Sequence, residues 1–266
     1  MTSRGYARRI VVVTNQKGGV GKTTLVRELG LALAADGLSV LLVDSDAQGN
    51  LTRSLVETKD PDIFAGQTGS AELAAGLEGD EAQPLELRHN VDLLAGGRSL
   101  SFFERRYYGE VDCYHRLKKL FERELFGKYD LILIDTPPSL GILTVNALAA
   151  ADGLLIPMSP AQYTMQGTNE LLSTVTKSRE TLNGELELVG AMINAFDPVP
   201  VIVREIVQEI RSSLGPACFG SYITKSIRIE EAIAEKKGVV ELAGSTWKKC
   251  RDEVVAAAAE LRGRLW

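Results

Sequence analysis

The residues best able to do chemistry come directly after the first apolar run of the chain. The run Ile10–Val13 leads into Asn15-Gln16-Lys17-Gly18-Gly19-Val20-Gly21-Lys22-Thr23-Thr24, where a helical pattern begins. Glycines let the backbone curve so that successive N–H groups point inward, and a helix N-terminus adds unpaired donors with a partial positive charge. The segment Gly18–Thr24 therefore predicts a phosphate-binding loop.

Two side chains of this loop have specific chemistry. We expect Lys22 to reach the terminal phosphates of a nucleotide and the Thr23 hydroxyl to ligate Mg²⁺. The strict G-x-x-x-x-G-K-[ST] pattern is not met, because Gln16 occupies its first glycine position. Lys17 is an additional lysine, which either lies at the surface or meets a phosphate from another direction, including a phosphate bound to another subunit.

Three aspartates follow later apolar runs. Asp44 and Asp46 close one run, and Asp135 closes another before a Pro-Pro pair. The carboxyl ends of parallel strands face the ligand crevice of an α/β sheet, so these acids are expected beside the phosphates. Asp135 is placed to hold the magnesium shell opposite Thr23; of Asp44 and Asp46, one could join that shell and the other orient the attacking water.

Short apolar runs alternate with longer helical patterns along most of the chain. Strands are predicted at Ile10–Val13, Val40–Val43, Leu131–Ile134, Leu154–Ile156 and Leu188–Ile193. Helices are predicted from the loop to about Gly37, and over Thr164–Leu182, Val201–Leu214 and Trp247–Leu265. Continuous apolar strands joined by helices indicate an α/β fold with a doubly wound, mostly parallel sheet and helices on both faces.

Composition narrows the class of protein. The 266 residues include 30 Lys and Arg against 35 Asp and Glu, a net charge of −5 that excludes a uniformly basic nucleic-acid binder. Hydrophobic residues at 45% and charged residues at 24% are typical of a soluble protein with a substantial core. The cysteines Cys113, Cys218 and Cys250 are far apart and odd in number, which favours a reducing, cytoplasmic compartment.

One segment departs from the alternating pattern. Residues 57–92 carry nine acidic residues and several glycines, which predicts an acidic excursion with at most one short helix, either a solvated loop or a partner-binding element. Repeats and Pro-rich linkers are not found in the sequence, so we expect a single domain over residues 1–266 without an N-terminal helix-turn-helix domain.

These motifs together resemble the deviant Walker A ATPases of the ParA/MinD group, most closely the Soj-like ParA partition ATPases. The resemblance is carried by Lys17–Thr24, by Asp44–Asn50, which is similar to that family's DxDPQGN stretch, and by Asp135–Gly141. It continues through Ile156-Pro157 and the 223–232 segment, and so covers nearly the whole chain. Ala47 stands where the family has proline.

The resemblance implies an ATP- and Mg²⁺-dependent cycle for partition of a chromosome or plasmid. It implies an ATP-bound sandwich homodimer in which Lys17 acts on the partner's nucleotide, and it makes Asp46 the hydrolytic aspartate, which leaves Asp44 for the magnesium shell. Asn194 looks like the family's adenine-contacting position. It further implies a ParB-like centromere-binding protein that stimulates slow hydrolysis, and a nucleoid-associated location.

Non-specific DNA binding is the family's next property, and here it needs a local basic patch. Residues 204–266 have a net charge of +2, whereas the preceding residues have −7. Within the basic part, Lys225 and Arg228 fall where similar proteins place basic residues, and Lys236 and Lys237 extend the candidate patch. Thr224 replaces a proline of this late loop, and Pro198–Pro200 lies where partition ATPases often have a basic residue.

Two alternatives belong to the same fold. The C-terminal helix ends in Leu265 and Trp266 and carries Arg262 and Arg264, which resembles a MinD-like membrane anchor. Its alanine-rich face is only weakly hydrophobic, Glu260 interrupts it, and Gln48-Gly49-Asn50 favours ParA, so membrane attachment is not expected. The second alternative is a positioning ATPase for another cargo, which sequence alone does not separate from a partition ATPase.

Overall fold

The computed structural model describes residues 7–57, 73–79, 82–110 and 113–266. Its strands are β1 (Arg9–Val13), β2 (Val40–Asp44), β3 (Leu85–Arg88), β4 (Val91–Leu94), β5 (Leu131–Asp135), β6 (Gly153–Met158), β7 (Glu187–Phe196) and β8 (Cys218–Thr224). They form one sheet in the order β3-β4-β2-β5-β1-β6-β7-β8, in which only the β3–β4 pair is antiparallel. This confirms the predicted fold class.

Helices cover both faces of the sheet. In chain order they are α1 (Lys22–Ala35), α2 (Asn50–Leu55), α3 (Leu73–Glu78), α4 (Ser99–Tyr107), α5 (Arg116–Phe121), α6 (Ile142–Ala150), α7 (Met165–Thr181), α8 (Val201–Leu214), α9 (Ile227–Ala234) and α10 (Lys248–Leu265). The predicted late helices agree with α7, α8 and α10 to within one residue at each end.

The alternation of side chains along β1 shows how the two layers form. Val11 and Val13 point to a core shared with α1 and α10, whereas Ile10 and Val12 point to a second core shared with α3 to α6. All four are at most 5% exposed, so β1 is buried on both faces, as a central parallel strand should be. A central strand of this kind fixes the position of the loop that follows it.

Three strands lie outside the predicted set. The expectation of an excursion over 57–92 is wrong for its last part, because β3 and β4 extend the sheet beyond β2. Each of these two strands has only four residues, and β3 contains exposed Glu86 and half-buried Arg88. An apolar pattern this short does not identify a strand. The short helix α3 lies in the same segment, but residues 58–72 and 80–81 of it are outside the described part.

The third of these strands, β8, was not predicted either, because its sequence also lacks a continuous apolar run. It pairs only with β7, and Gly220 and Ser221 stand in its middle. An edge strand needs less apolar surface than a central one, so its sequence is closer to that of a loop. Within the described residues, none of the helices has the length and apolar character needed to span a membrane.

Candidate functional site

The loop between β1 and α1 has the backbone curvature expected of a phosphate cradle. Gly19 and Gly21 both adopt left-handed conformations, with φ of 72° and 83°, and Gly21 directly precedes the first residue of α1. A Cβ on Gly21 would lie 2.2 Å from Nδ2 of Asn194. A side chain is therefore excluded at this position both by conformation and by space.

Asn194 supports this loop from the end of β7. Its side chain is 1% exposed, and Nδ2 donates to the carbonyl oxygens of Val20 at 3.1 Å and Gly21 at 3.2 Å. The amide nitrogen is thus used to hold the loop. The adenine contact that the family resemblance implies for Asn194 stays a prediction, whereas its support of the loop is a finding that residue spacing could not reveal.

Lys22 is buried at the centre of the cradle. Its Nζ donates to the carbonyl oxygens of Asn15 at 3.1 Å and Lys17 at 3.3 Å, so the ammonium lies across the loop. Burial lowers the pKa of Lys22, and the nearby carboxylates of Asp135 and Asp46 oppose that shift. A bound polyphosphate would stabilise the charged form of this lysine further.

Thr23 and Asp135 meet at the end of the central strands. The Thr23 hydroxyl donates to Oδ2 of Asp135 at 2.6 Å. The other oxygen, Oδ1, is buried and has no hydrogen-bond partner among the described residues. Burial, reinforced by the charge of Asp44, holds the pKa of Asp135 well above its usual range. A hydroxyl beside a buried carboxylate oxygen without a partner fits the oxygen ligands that Mg²⁺ prefers.

Asp44 does not fit the magnesium role that the sequence suggested. Its Oδ2 accepts from the backbone N–H of Thr52 at 2.8 Å and from the Thr52 hydroxyl at 2.7 Å, while Oδ1 accepts from the N–H of Asp46 at 3.2 Å. Burial raises the pKa of Asp44 to about 6, although these hydrogen bonds act in the opposite direction. Both oxygens are engaged with the protein, so this residue fastens α2 to the end of β2.

Asp46 lies at the edge of the cavity instead. Its side chain is 8% exposed, its Oδ1 accepts from the N–H of Gln48 at 2.8 Å, and it lines the same cavity as Lys22 and Thr23. Strand β2 ends at Asp44, and a turn closed by the bond from the Gly49 N–H to the Asp46 carbonyl oxygen begins two residues later. Asp44 and Asp46 therefore do not share the face of one extended strand. Of the two aspartates, only Asp46 lines the cavity.

Glu104 was not identified from the sequence. This α4 residue accepts a hydrogen bond from the backbone N–H of Leu143 at the start of α6, which follows the loop after Asp135. Burial raises the pKa of Glu104, and the charge of Asp46 adds to the shift. A lone acid in an amphipathic helix carries no sequence signal, since the contact joins residues almost forty positions apart.

Lys17 points away from the cradle. Its Nζ donates to the carbonyl oxygen of Gln162 and to the hydroxyl of Thr164 at 3.1 Å, and its backbone N–H donates to Oδ1 of Asn15 at 3.0 Å. The side chain is not among the residues that line the cavity. The ammonium groups of Lys17 and Lys22 therefore bind different acceptors, as expected for two cations that would repel each other if they lay close together.

The cradle opens into a cavity of about 630 Å³. One wall is formed by the phosphate loop with Asp46 and Thr136, and the opposite wall comes from the β8–α9 junction, namely Thr224, Lys225, Ser226, Ile229, Glu230 and Ile233. This volume is in the range of cavities that hold small-molecule ligands and cofactors. The mixed apolar and polar wall opposite the phosphates suits a nucleoside.

The four candidate DNA-binding residues fall into two places. Lys225 lines the cavity, and Arg228 pairs with Glu231 and lies 5.7 Å from the ring of Trp247. Lys236 and Lys237 lie beyond the end of α9, where Lys236 donates to the carbonyl oxygen of Arg53 at 2.5 Å and Lys237 pairs with Glu235 at 3.3 Å. Lys236 is half-buried and Lys237 is exposed, and neither lines the cavity.

The chain is similar in sequence to known chromosome-partitioning proteins. A family model described as an AAA domain matches residues 8–188. The chain is 33% identical over 263 residues to the chromosome-partitioning ATPase Soj of Thermus thermophilus, covering 97% of this chain and 99% of that protein. It is 31% identical over 239 residues to the chromosome partitioning protein ParA of Caulobacter vibrioides, covering 87% and 86%.

A solved structure is similar over much of the chain. Cobyrinic acid a,c-diamide synthase from Mycobacterium smegmatis, with bound ATP analogue and magnesium, superposes with a TM-score of 0.73 and 30% identity. The similarity covers 86% of this chain and 93% of that one.

Proposed function

Because the chain belongs to the family of ParA and Soj chromosome-partitioning ATPases, we propose that it is a cytoplasmic, Mg²⁺-dependent ATPase that switches between DNA-bound and free states. In this cycle ATP joins two copies of the chain, the dimer binds DNA without sequence preference, and hydrolysis separates the dimer. A ParB-like centromere-binding protein stimulates the hydrolysis, and the cargo is a chromosome or a plasmid.

The observation that carries this proposal is the meeting of Thr23 and Asp135 at the phosphate loop, with one buried carboxylate oxygen left without a partner among the described residues. Thr23 and Asp135 would hold Mg²⁺, which neutralises phosphate charge when bound. The backbone N–H groups of Gly18–Thr24 and the Lys22 ammonium bind the phosphates. The base lies against the Thr224–Ile233 wall, with Asn194 keeping the loop in place.

Asp46 is proposed to orient the attacking water. It lies on the cavity wall beside Lys22, whereas the oxygens of Asp44 are taken by Thr52 and by the Asp46 backbone. A carboxylate in this place positions water for in-line attack rather than removing its proton fully, because an aspartate is a weak base. Asp44 keeps the Asp46 turn in the right conformation.

In the proposed dimer, Lys17 leaves Gln162 and Thr164 and contacts the nucleotide of the other copy. A basic surface near Lys236 and Lys237 is doubled in the dimer, so two weak sets of phosphate contacts act together. The single chain, with a net charge of −5, would bind DNA weakly. Separation of the dimer after hydrolysis therefore releases the DNA.

The test combines size-exclusion chromatography with DNA retention, in ATP and in ADP. The wild-type protein should form a dimer and retain DNA only with ATP. Asp46→Ala should lower the hydrolysis rate by roughly 10²-fold or more, the usual loss for a positioned catalytic side chain, and should keep the dimer on DNA. Lys22→Ala should abolish both the dimer and DNA retention, because the phosphates lose their central cation.

The matched control is Asp197→Ala. Asp197 is an exposed aspartate directly after β7, and it does not line the cavity. It should behave like the wild type in both assays. If Asp46→Ala hydrolysed ATP at the wild-type rate, the proposed role of Asp46 would be wrong. If the wild type retained DNA equally in ADP and in ATP, the switching cycle would be wrong.

A further inference from the structure

The two lysines beyond α9, half-buried Lys236 and exposed Lys237, belong to a segment, residues 235–241, that is fixed to the phosphate-binding helix α1. Arg27 of α1 donates through Nη2 to the carbonyl oxygens of Ala232 at 3.3 Å and Lys237 at 2.5 Å. Glu28, its neighbour in the helix, accepts from the backbone N–H of Val239 at 2.9 Å. The two side chains also form an ion pair with each other.

This ion pair is completely buried. Both side chains are 0% exposed, and Nε of Arg27 has no partner among the described residues. Burial lowers the pKa of Arg27 and raises that of Glu28, and each shift is opposed by the charge of the other residue. Buried ion pairs are often no more stabilising than apolar residues of similar volume, so stability alone is a poor reason for this one.

Contacts from the other side complete the attachment of the segment. Arg88 of β3 donates to the carbonyl oxygen of Lys236 at 2.9 Å and pairs with Glu241, whose Oε2 accepts from the N–H of Gly238 at 2.6 Å. Lys236 adopts a left-handed conformation with φ of 58°, which is unusual for a residue with a side chain. Such a conformation persists only where the surroundings enforce it.

The attachment connects the lysines with both walls of the cavity. Helix α1 begins at Lys22, so Arg27 lies less than two turns from the phosphate loop. Helix α9, which ends just before the segment, lines the opposite wall through Ile229 and Ile233. Lys236 and Lys237 are therefore held by the two elements that would contact a bound nucleotide.

We propose that the buried Arg27–Glu28 pair is a positioning element for a polyanion-binding surface at Lys236 and Lys237. By holding the backbone at Ala232, Lys237 and Val239, the pair fixes the direction of both lysines relative to the phosphate loop. Arg27 and Glu28 touch neither nucleotide nor DNA, and they act only through this backbone. The inference rests on the proposed DNA-binding function and names the residues that organise its surface.

The test replaces the pair by apolar residues of similar size, Arg27→Met with Glu28→Leu. Three readouts are compared with the wild type: affinity for a fluorescent ATP analogue, amide hydrogen exchange over residues 237–241, and the salt dependence of DNA retention with ATP. We expect unchanged nucleotide affinity and faster exchange at Lys237 and Val239. We also expect the salt slope to fall by about one unit for each phosphate that these lysines no longer neutralise.

Two further variants keep the test decisive. Arg27→Lys retains the charge next to Glu28 but not the forked donor, so it should show the same changes in milder form if the double variant does not fold. Arg262→Gln with Asp36→Asn removes an ion pair at the far end of α1 and should leave all three readouts unchanged. Lys236→Ala with Lys237→Ala gives the salt slope expected when neither lysine binds a phosphate.

The possible failures are distinguishable. Wild-type exchange at residues 237–241 in a folded Arg27 variant would overturn the positioning role, because the backbone would not need the pair. Wild-type DNA retention in a variant with fast exchange would overturn it as well. If the wild-type protein retains no DNA with ATP, the proposed DNA-binding function fails, and the exchange measurement still decides whether the pair holds the segment.

Discussion

Gly21 is the residue on which the geometry of the phosphate loop depends most directly. Its φ of 83° and its closeness to Asn194 leave no place for a side chain. Gly18, in the same loop, has no atom within 4 Å of a Cβ position and does not have a left-handed conformation. The two glycines therefore provide a matched pair for substitution in the nucleotide-free protein.

We expect Gly21→Ala to lower the free energy of unfolding by about 3–4 kcal/mol. An alanine in the left-handed region costs roughly 1–2 kcal/mol, and displacement of Asn194 breaks its bonds to the loop at about 1 kcal/mol each. Gly18→Ala should change the nucleotide-free protein by less than about 0.5 kcal/mol, the range usual for substitutions away from special features. Urea titration of the two variants measures both values, and equal changes would contradict the geometry.

For single residues, the sequence predicts which side chains lie together at the site, but not which hydrogen bonds they form. The order of Lys22, Thr23 and Asp135 along the chain is enough to place them at one edge of a parallel sheet. The division between Asp44 and Asp46 depends on the turn after β2 and on Thr52, eight residues later, whose N–H and hydroxyl occupy Asp44. The bond from Asn194 to the loop depends on the order of β7 in the sheet, which the residue itself does not encode.

Helix α10 is attached to the edge strand β8 by a carboxylate. Glu260 accepts from the N–H groups of Gly220 at 3.0 Å and Ser221 at 2.8 Å and pairs with Arg264 at 2.9 Å. Burial alone would raise the pKa of Glu260, but these hydrogen bonds outweigh it and hold the pKa below its usual value. The charged form is thus favoured by folding.

This gives a pH-dependent prediction. A carboxyl with a depressed pKa stabilises the fold above its unfolded pKa of about 4.5, and the contribution disappears as the pH falls through the folded pKa. Glu260→Gln should lower the free energy of unfolding by about 1–2 kcal/mol at pH 7, somewhat less than is usual for bonds to a charged group, because the carboxylate is 26% exposed to solvent. The difference from wild type should shrink below about pH 4.

Chemical denaturation at pH 7 and pH 3.5 measures this difference. Glu209→Gln, at an exposed position of α8, is the control and should change little at either pH. A destabilisation that is the same at both pH values would mean that Glu260 acts through packing rather than through its charge.

Among the secondary-structure elements, those with long, continuous apolar patterns are the ones that the sequence predicts well. The predicted run at Val201–Leu214 coincides with α8, and each predicted strand lies within an observed one. The strands outside the prediction, β3, β4 and β8, are short or lie at an edge of the sheet, where fewer side chains need to be apolar. Their place is decided by pairing with β2 and β7, which local sequence does not report.

For the molecule as a whole, the packing of α10 bears on the alternative of a membrane anchor. Val254 and Leu261 are 0% exposed and belong to the core that α10 shares with α1 and β8. The Trp266 indole N–H donates to the carbonyl oxygen of Ala7 at 2.9 Å. Insertion of this helix into a bilayer would therefore remove part of the protein's own core.

We accordingly expect no co-sedimentation of the ATP-bound protein with anionic liposomes. Leu261→Ala should lower the free energy of unfolding by about 2–4 kcal/mol, the usual cost of a large-to-small change in a core, without affecting the liposome result. A pelleting assay with ATP and with ADP provides the measurement. ATP-dependent pelleting that disappears when the last ten or so residues are deleted would support the membrane alternative instead.

The position of Lys17 has a consequence for how the proposed dimer forms and separates. This lysine already has two acceptors in its own chain, the Gln162 carbonyl and the Thr164 hydroxyl. When the dimer forms, Lys17 would exchange these two acceptors for the nucleotide of the other copy. The bonds lost within its own chain would make the free energy of association less favourable. After hydrolysis and separation of the dimer, Lys17 can bond again to the same two oxygens of its own chain. Each subunit therefore returns to its starting conformation without help from the other copy.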